Sequence, residues 1–191
     1  MALAYVFWHT PDPEVDTGRY EAALASFLEA LLAAPPRGLR DCASHRIAAP
    51  PWLPAERTYE DWYVVEDHEA LGAIGPGAVS GAPAAPHHEV AALSAEGSAG
   101  LYACLAGAPD GAGASSCWLD KPRGLAYPDF KLELSSALAS PGSLWQRELV
   151  LGPAPEFCLL GEEAEGPPGR DAIRLDRFPI GSGPAASVTG R

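Results

Sequence analysis

The chain has 191 residues, 47% of them hydrophobic, which is enough for one large domain or two small fused domains with a core. Its formal net charge of −12 repels phosphate backbones and argues against nucleic-acid binding. None of the four cysteines forms a CxxC pair, so a zinc knuckle is not supported. Because we find no apolar run of membrane length and no basic leader, we expect a cytoplasmic protein with reduced thiols and no membrane partner.

The first third of the sequence predicts a strand, a helix and two further strands. Residues 2–9 form an apolar run typical of a strand covered on both faces. An amphipathic helix is predicted over 20–33, with Asp16 or Thr17 as its N-cap. Strands are predicted over 40–49 and 58–66, and their Pro-rich connector is too short for a crossover helix, so we expect them to be antiparallel neighbours.

Two helical segments and a fourth strand complete the predicted first half. Asp67 is placed to begin a helix at His68, which the Gly75-Pro76-Gly77 triplet is expected to interrupt. A further helix is predicted from Pro86, and a short strand over 101–106. The predicted order is therefore βαββαβ, the ferredoxin-like arrangement.

A weaker copy of this pattern follows a small-residue linker over 110–114. It comprises a strand around 117–119, a helix over 127–138, and strands over 145–149, 156–161 and 173–178. The segment after Glu162 is too short and too rich in Gly and Pro for a second helix. We therefore divide the chain into a first half (1–109), the linker (110–114), a shortened second half (115–180) and a disordered tail (181–191).

The doubled element order resembles the α+β barrel superfamily of ferredoxin-like proteins. The resemblance is carried by matched residues in the two copies, namely Trp8, Pro11, Tyr20 and Arg46 in the first and Trp118, Pro122, Tyr127 and Arg147 in the second. It implies an α+β fold of tandem ferredoxin-like repeats whose antiparallel sheets face each other as a barrel. The family includes antibiotic-biosynthesis monooxygenases, haem-degrading enzymes and isomerases, so the fold by itself does not give the function.

The resemblance implies that one face of each sheet packs on helices and the other lines a cavity between the half-sheets. His9 ends the first strand and shares a face with Tyr5 and Phe7. An imidazole there can act as an acid or a base, although it can also simply close the strand end through a hydrogen bond.

Two arginines at matching positions are the second set of candidates. Arg46 and Arg147 carry charges that fit poorly against a helix layer, so we expect them to face the cavity or solvent. The alternative is that they form structural ion pairs, for example with Asp61 or Glu148. Tyr63 is a further candidate, because it and its neighbour Trp62 point to opposite faces of their strand.

The remaining histidines and cysteines favour structural roles. His87 and His88 point about 100° apart on a helix, which makes them poor partners for one metal ion, so we predict no metal site and a surface helix start. The cysteines are expected to be small buried apolar residues, with Cys42 near Arg46 the one candidate for a reactive thiol. No G-x-S-x-G, P-loop, Rossmann or H-E-x-x-H motif occurs.

The leading hypothesis is a protein that binds or converts a small organic molecule, monooxygenase- or isomerase-like by resemblance. His9 is the catalytic candidate, and Tyr5, Phe7, Arg46, Tyr63 and Arg147 are the ligand-binding candidates. The alternative is a non-catalytic structural or protein-interaction module with a filled barrel, so the sequence leaves open whether the protein is an enzyme. No cofactor is predicted, haem is a weaker third hypothesis, and either a monomer or a homodimer is compatible with the pattern.

Overall fold

The computed structural model describes residues 1–148 and 152–184, which contain eight strands and four helices. The strands are β1 (Leu3–Pro11), β2 (Leu39–Ile47), β3 (Thr58–Val65), β4 (Ser94–Gly107), β5 (Ser115–Leu119), β6 (Gly142–Arg147), β7 (Phe157–Gly161) and β8 (Ile173–Pro184). The helices are α1 (Thr17–Ala33), α2 (His68–Ala78), α3 (Ala84–Leu93) and α4 (Tyr127–Ala137). None of the helices within these residues is long and apolar enough to cross a membrane.

The eight strands form one closed antiparallel barrel in the order β1-β3-β2-β8-β5-β7-β6-β4. The first half of the chain supplies four neighbouring strands, β4-β1-β3-β2, and the second half supplies β8-β5-β7-β6. The two sets meet where β2 pairs with β8 and where β4 pairs with β6. The predicted α+β class, the barrel and the antiparallel pairing of β2 with β3 are confirmed.

The interior of the barrel is filled by side chains from both halves. Four tryptophans, Trp8, Trp62, Trp118 and Trp145, are fully buried there. Among them lies a buried ion pair in which Arg177 Nε donates to Glu60 Oε1 at 3.0 Å. The predicted cavity between the half-sheets is therefore wrong, because large indole side chains fill the interior of this eight-stranded barrel.

The helices cover the outer face of the barrel. Helix α1 packs its buried line, which includes Leu24, Phe27 and Leu31, against strands of the first half. Helix α4 packs Phe130 and Leu134 against strands of the second half. Residues 162–172 contain no helix, as the sequence predicted. Among the described residues, one helix covers the second half and three helices cover the first half.

Several predicted boundaries are confirmed by the capping contacts. Asp16 caps α1 by accepting a hydrogen bond from the Arg19 N–H at 3.1 Å, and Asp67 caps α2 by accepting from the Ala70 N–H at 2.9 Å. The predicted interruption at residues 75–77 is wrong, because α2 continues to Ala78. Burial of Ile74 and Ala78 against the first-half core accompanies this extension.

Residues 181–184 of the glycine-rich end belong to a strand. Strand β8 runs to Pro184 and pairs with β2, so the predicted disorder does not hold for residues 181–184. A Cβ atom at Gly181 would lie 3.3 Å from Leu28, which shows that the small residues let β8 pass close beneath α1. Residues 185–191 of the predicted tail, and Leu149 of the predicted sixth strand, lie outside the described residues.

Candidate functional site

A cavity of about 490 Å³ lies between the outer face of the first-half strands and the helices α1, α2 and α3. Its floor carries residues of β1 and β3, and its walls are mostly apolar side chains of the helices. The lining includes Tyr5, Phe7, His9, Tyr20, Leu24, Phe27, Leu31, Asp61, Tyr63, Ile74, His87, Val90, Ser94 and Glu96. The exposed lining residues Gly75, Ala91, Ala95, Glu96 and Gly97 mark where the cavity meets solvent.

His9 is buried on the floor of this cavity, between a phenol and a carboxylate. Its side chain belongs to the outward-facing set of β1, beneath the N-terminal turn of α1. His9 Nδ1 lies 2.5 Å from the Tyr20 hydroxyl, and His9 Nε2 lies 3.2 Å from Asp61 Oδ2. The second contact is close enough for charge attraction, but it lacks the alignment of a hydrogen bond, so Nε2 has no hydrogen-bond partner among the described residues.

A chain of hydroxyl groups continues from His9 to the backbone of α3. The Tyr20 hydroxyl lies 3.0 Å from Ser94 Oγ, and Ser94 Oγ donates to the Val90 carbonyl at 2.9 Å. A carbonyl can only accept, so the Ser94 proton points to Val90 and Ser94 accepts from Tyr20. Tyr20 must then accept from His9 Nδ1–H, which leaves Nε2 as the nitrogen with a free lone pair in the neutral ring.

Asp61 is placed opposite Phe7 by the β1–β3 register. Its Oδ2 accepts a hydrogen bond from the Tyr63 hydroxyl at 2.9 Å, in addition to the contact with His9. Its Oδ1 is buried and has no hydrogen-bond partner in the described part of the chain. The site therefore holds a carboxylate with one satisfied and one unsatisfied oxygen.

Aromatic rings fix the plane of the imidazole and enclose the cavity. The Phe7 ring stacks on His9 with 5.0 Å between ring centroids, and the Tyr59 ring does so at 5.7 Å. Burial raises the pKa of Tyr20, and it raises the pKa of Tyr63 together with the Asp61 charge. These phenols are therefore protonated at neutral pH and available as hydrogen-bond donors.

His87 contributes to the opposite wall. Its ring makes an edge contact with Phe27 at 5.4 Å, its Nδ1 is buried without a partner in the described residues, and burial lowers its pKa. We predicted a surface position for His87, whereas the structure places it in the cavity lining. The sequence contains an indication of this position, because His87 lies three residues before Val90 and therefore on the same apolar side of α3.

The structure brings four of the predicted site residues together and separates two. Tyr5, Phe7, His9 and Tyr63 line the cavity. Arg46 instead donates to Glu21 at 2.9 Å on an exposed surface, and Arg147 donates to the Ala154 carbonyl.

Sequence reasoning missed three groups that contact or surround His9. The sequence suggests Asp61 only as an ion-pair partner for an arginine, and it does not indicate Tyr20 or Ser94 as site residues. Strand register and the fold of α1 over the sheet bring them to His9, and neither is visible in local sequence.

Within residues 1–148 and 152–184, no group of three or more His, Cys, Asp or Glu side chains is placed to hold a metal ion.

The structure resembles solved proteins across its whole length. No protein-family model matches the chain, and no curated protein matches its sequence. A "putative monooxygenase" from Fusobacterium nucleatum is 7% identical, with a TM-score of 0.62 over 98% of this chain and 96% of that one. A protein of the same description from Lactobacillus acidophilus is 11% identical, with a TM-score of 0.58 over 98% of both chains. An anthrone oxidase-like protein is 9% identical, with a TM-score of 0.54 over 97% of this chain and 94% of that one. At these identities the likeness establishes the barrel fold alone.

Proposed function

We propose that the protein is an enzyme that binds a small organic molecule in the helix-covered cavity and removes a proton from it with His9. The observation that carries this proposal is the buried His9, held between Tyr20 and Asp61 on the floor of a cavity of about 490 Å³. Cavities of roughly 300–1,000 Å³ with apolar walls and a few convergent polar groups are typical of small-molecule sites.

His9 Nε2 is the base in this proposal. The hydroxyl chain from His9 Nδ1 through Tyr20 and Ser94 ends on the Val90 carbonyl and holds the tautomer in which Nε2 is unprotonated. When Nε2 takes a proton, the Asp61 carboxylate at 3.2 Å stabilises the imidazolium that forms. Tyr20 and Ser94 are positioning residues, and Asp61 is the electrostatic partner.

Two reaction types use this proton transfer, and we favour oxygenation. In an isomerase the proton would return to a different carbon of the substrate. In a monooxygenase the carbanion would react with O2, so that an activated CH2 becomes C=O, one oxygen atom enters the product and the other leaves as water. The names of the neighbouring structures support the second type.

Oxygen uptake with anthrone as the probe tests this function. We expect the protein to accelerate uptake over buffer, and His9→Ala to lower the rate about 10²- to 10⁴-fold, the range for loss of a general base. His88→Ala is the matched control, because His88 is exposed and does not line the cavity. An unchanged rate in His9→Ala would refute the role of His9, and no acceleration by the unmodified protein would count against the activity.

A non-catalytic structural module is the second candidate, and the tryptophan-filled barrel favours it. The two candidates differ in the helix-covered cavity, which a purely structural module does not need. Calorimetric titration with uncharged aromatic ligands distinguishes them. Binding that His9→Ala or Asp61→Asn weakens supports the enzyme, and the lack of any binding supports the module.

We propose that the reaction proceeds without a bound haem. Nδ1 of His9 is engaged by the Tyr20 hydroxyl, and the Asp61 carboxylate lies 3.2 Å from Nε2, so an iron ion bound at Nε2 would have to compete with that carboxylate for space. Titration with hemin tests this point. A shifted Soret band that disappears in His9→Ala would refute it.

We also propose that the chain is a tandem duplication within the ferredoxin-like α+β barrel superfamily. The equivalent strand order of the two halves supports this origin. So does the strand register, because His9 faces Tyr59 in β3 as Leu119 faces Phe157 in β7.

A further inference from the structure

We infer that the helix-covered cavity selects an organic cation, a molecule that joins an aromatic or apolar body to a protonated amine. This inference deepens the proposed function, because it assigns the substrate class of the same site. Three observations support it: the sign of the charges in the lining, the unsatisfied oxygen of Asp61 and the aromatic rings around that carboxylate.

The charged groups of the lining are of one sign. Asp61 lies on the floor and Glu96 at the solvent-exposed edge. The described residues that line the cavity include no lysine and no arginine. A carboxylate or phosphate ligand would therefore be repelled by the carboxylates of the lining in a space of low dielectric constant. A protonated imidazole is the one positive group that the described lining could offer it.

Asp61 keeps hydrogen-bonding capacity for a ligand. Asp61 is 2% exposed, and its Oδ2 accepts a hydrogen bond from the Tyr63 hydroxyl at 2.9 Å. Oδ1 has no hydrogen-bond partner within the described residues. A buried carboxylate oxygen without a donor is costly, and an ammonium group supplies both the donor and the opposite charge.

The charge of Asp61 also acts on the tyrosines that line the cavity. The pKa values of Tyr5, Tyr20 and Tyr63 are raised, first by burial and in each case also by the negative charge of Asp61. The field that opposes a tyrosinate at these positions also opposes an anionic ligand and favours a cationic one. The aromatic rings of Phe7 and Tyr5 line the same cavity and give the apolar body of such a ligand a surface to pack against.

Three probes with one ring system test the inference: 2-naphthylmethylammonium, 2-naphthylmethanol and 2-naphthoate. Calorimetric titration of the full chain at pH 7 measures the three dissociation constants. We expect the ammonium to bind at least tenfold more tightly than the alcohol, and the carboxylate to bind most weakly.

Charge-neutral variants locate the preference. Asp61→Asn should reduce the preference for the ammonium over the alcohol to less than threefold. Glu96→Gln, at an exposed position that does not threaten folding, should reduce it by a smaller factor. Glu163→Gln is the matched control, because Glu163 is exposed and does not line the cavity. Circular dichroism checks that each variant is folded. If Asp61→Asn does not fold, Glu96→Gln still tests the inference.

The outcomes separate this inference from the proposed function. If the alcohol binds as tightly as the ammonium, or the carboxylate binds best, the cation inference is overturned and the small-molecule cavity stands. A preference for the ammonium that neither Asp61→Asn nor Glu96→Gln changes also overturns it. If none of the three probes binds, both the inference and the proposed function are contradicted.

Discussion

Removing the charge of Glu60 should cost the barrel a large part of its stability. Both members of the Glu60–Arg177 pair are fully buried, and Arg177 Nε donates to Glu60 Oε1 at 3.0 Å. The carboxylate also accepts from Trp62 Nε1 at 2.8 Å and from Trp8 Nε1 at 3.0 Å. Three donors therefore converge on two oxygens, and they come from both halves of the chain.

The variant Glu60→Gln keeps the shape of the side chain and removes its charge. One carboxylate oxygen becomes an NH2 group, which faces a donor instead of accepting from it, and the Arg177 guanidinium loses its counter-charge. Breaking a buried ion pair from one side costs about 3–5 kcal/mol. Since single domains are stable by roughly 5–15 kcal/mol, the variant should lose about a fifth or more of its unfolding free energy.

Urea unfolding, followed by tryptophan fluorescence, measures this loss. The control is Glu69→Gln, which removes the exposed Arg37–Glu69 pair and should cost less than about 1 kcal/mol. The double variant Glu60→Gln/Arg177→Met removes both charges and should recover part of the loss. A cost below about 1 kcal/mol for Glu60→Gln, in a folded protein with an unchanged urea dependence, would refute the reasoning.

Two further predictions concern the barrel interior and the cavity. His45 is buried in the barrel, and burial, together with Arg177, lowers its pKa to about 2. The unfolded chain binds a proton on this ring below about pH 6.5, and the folded chain does not, so stability falls with pH from there downward. Between pH 6.5 and 5.0 the unfolding free energy should fall by about 1.5 kcal/mol because of His45. Urea titrations at several pH values measure this loss, and the variant His45→Gln should lack it. If the unfolding free energies of the two proteins fall in parallel with pH, the prediction is contradicted. At the edge of the cavity, a Cβ atom on Gly97 would lie 2.6 Å from the Phe7 ring, so Gly97→Ala should weaken naphthyl probe binding at least tenfold. Gly72→Ala, where a Cβ atom meets open space, should leave binding unchanged. If Gly97→Ala and Gly72→Ala have equal effects on probe binding, the assignment of the binding site to this cavity is refuted.

The sequence predicted much of the local structure because local chemistry determines it. Asp16 and Asp67 are helix caps that accept hydrogen bonds within their own first turns. Alternation along β1 correctly groups Tyr5, Phe7 and His9 on one face. Such features depend on residues close in the chain, and no tertiary contact is needed to infer them.

The location of the site could not be predicted because alternation does not say which face the helices cover. His9 was assigned to a cavity inside the barrel, yet its face is the outer one beneath α1. Trp8 and Glu60 occupy the interior instead, where the indole N–H of Trp8 donates to the carboxylate. A carboxylate buried at that depth would be strongly destabilising without the opposite charge of Arg177 beside it. The two residues are 117 positions apart in the sequence, so the sequence does not indicate that they pair.

The difference between the two halves is the strongest structural reason to place function at His9. The β5–β7 pair has the register of β1–β3, so Leu119 corresponds to His9 and Leu159 to Asp61. In the second half these leucines are buried beneath α4 together with Phe130 and Leu134, and the face is packed with apolar side chains. A stable half-barrel of this type therefore does not need polar groups at the two positions. In the first half a histidine and an aspartate occupy them, and the additional helices α2 and α3 enclose space above them. Buried polar groups cost stability unless they are hydrogen-bonded, and His9 Nε2 and Asp61 Oδ1 have no hydrogen-bond partner among the described residues. We therefore take the pair, the cavity and the two additional helices together as parts of the proposed binding site.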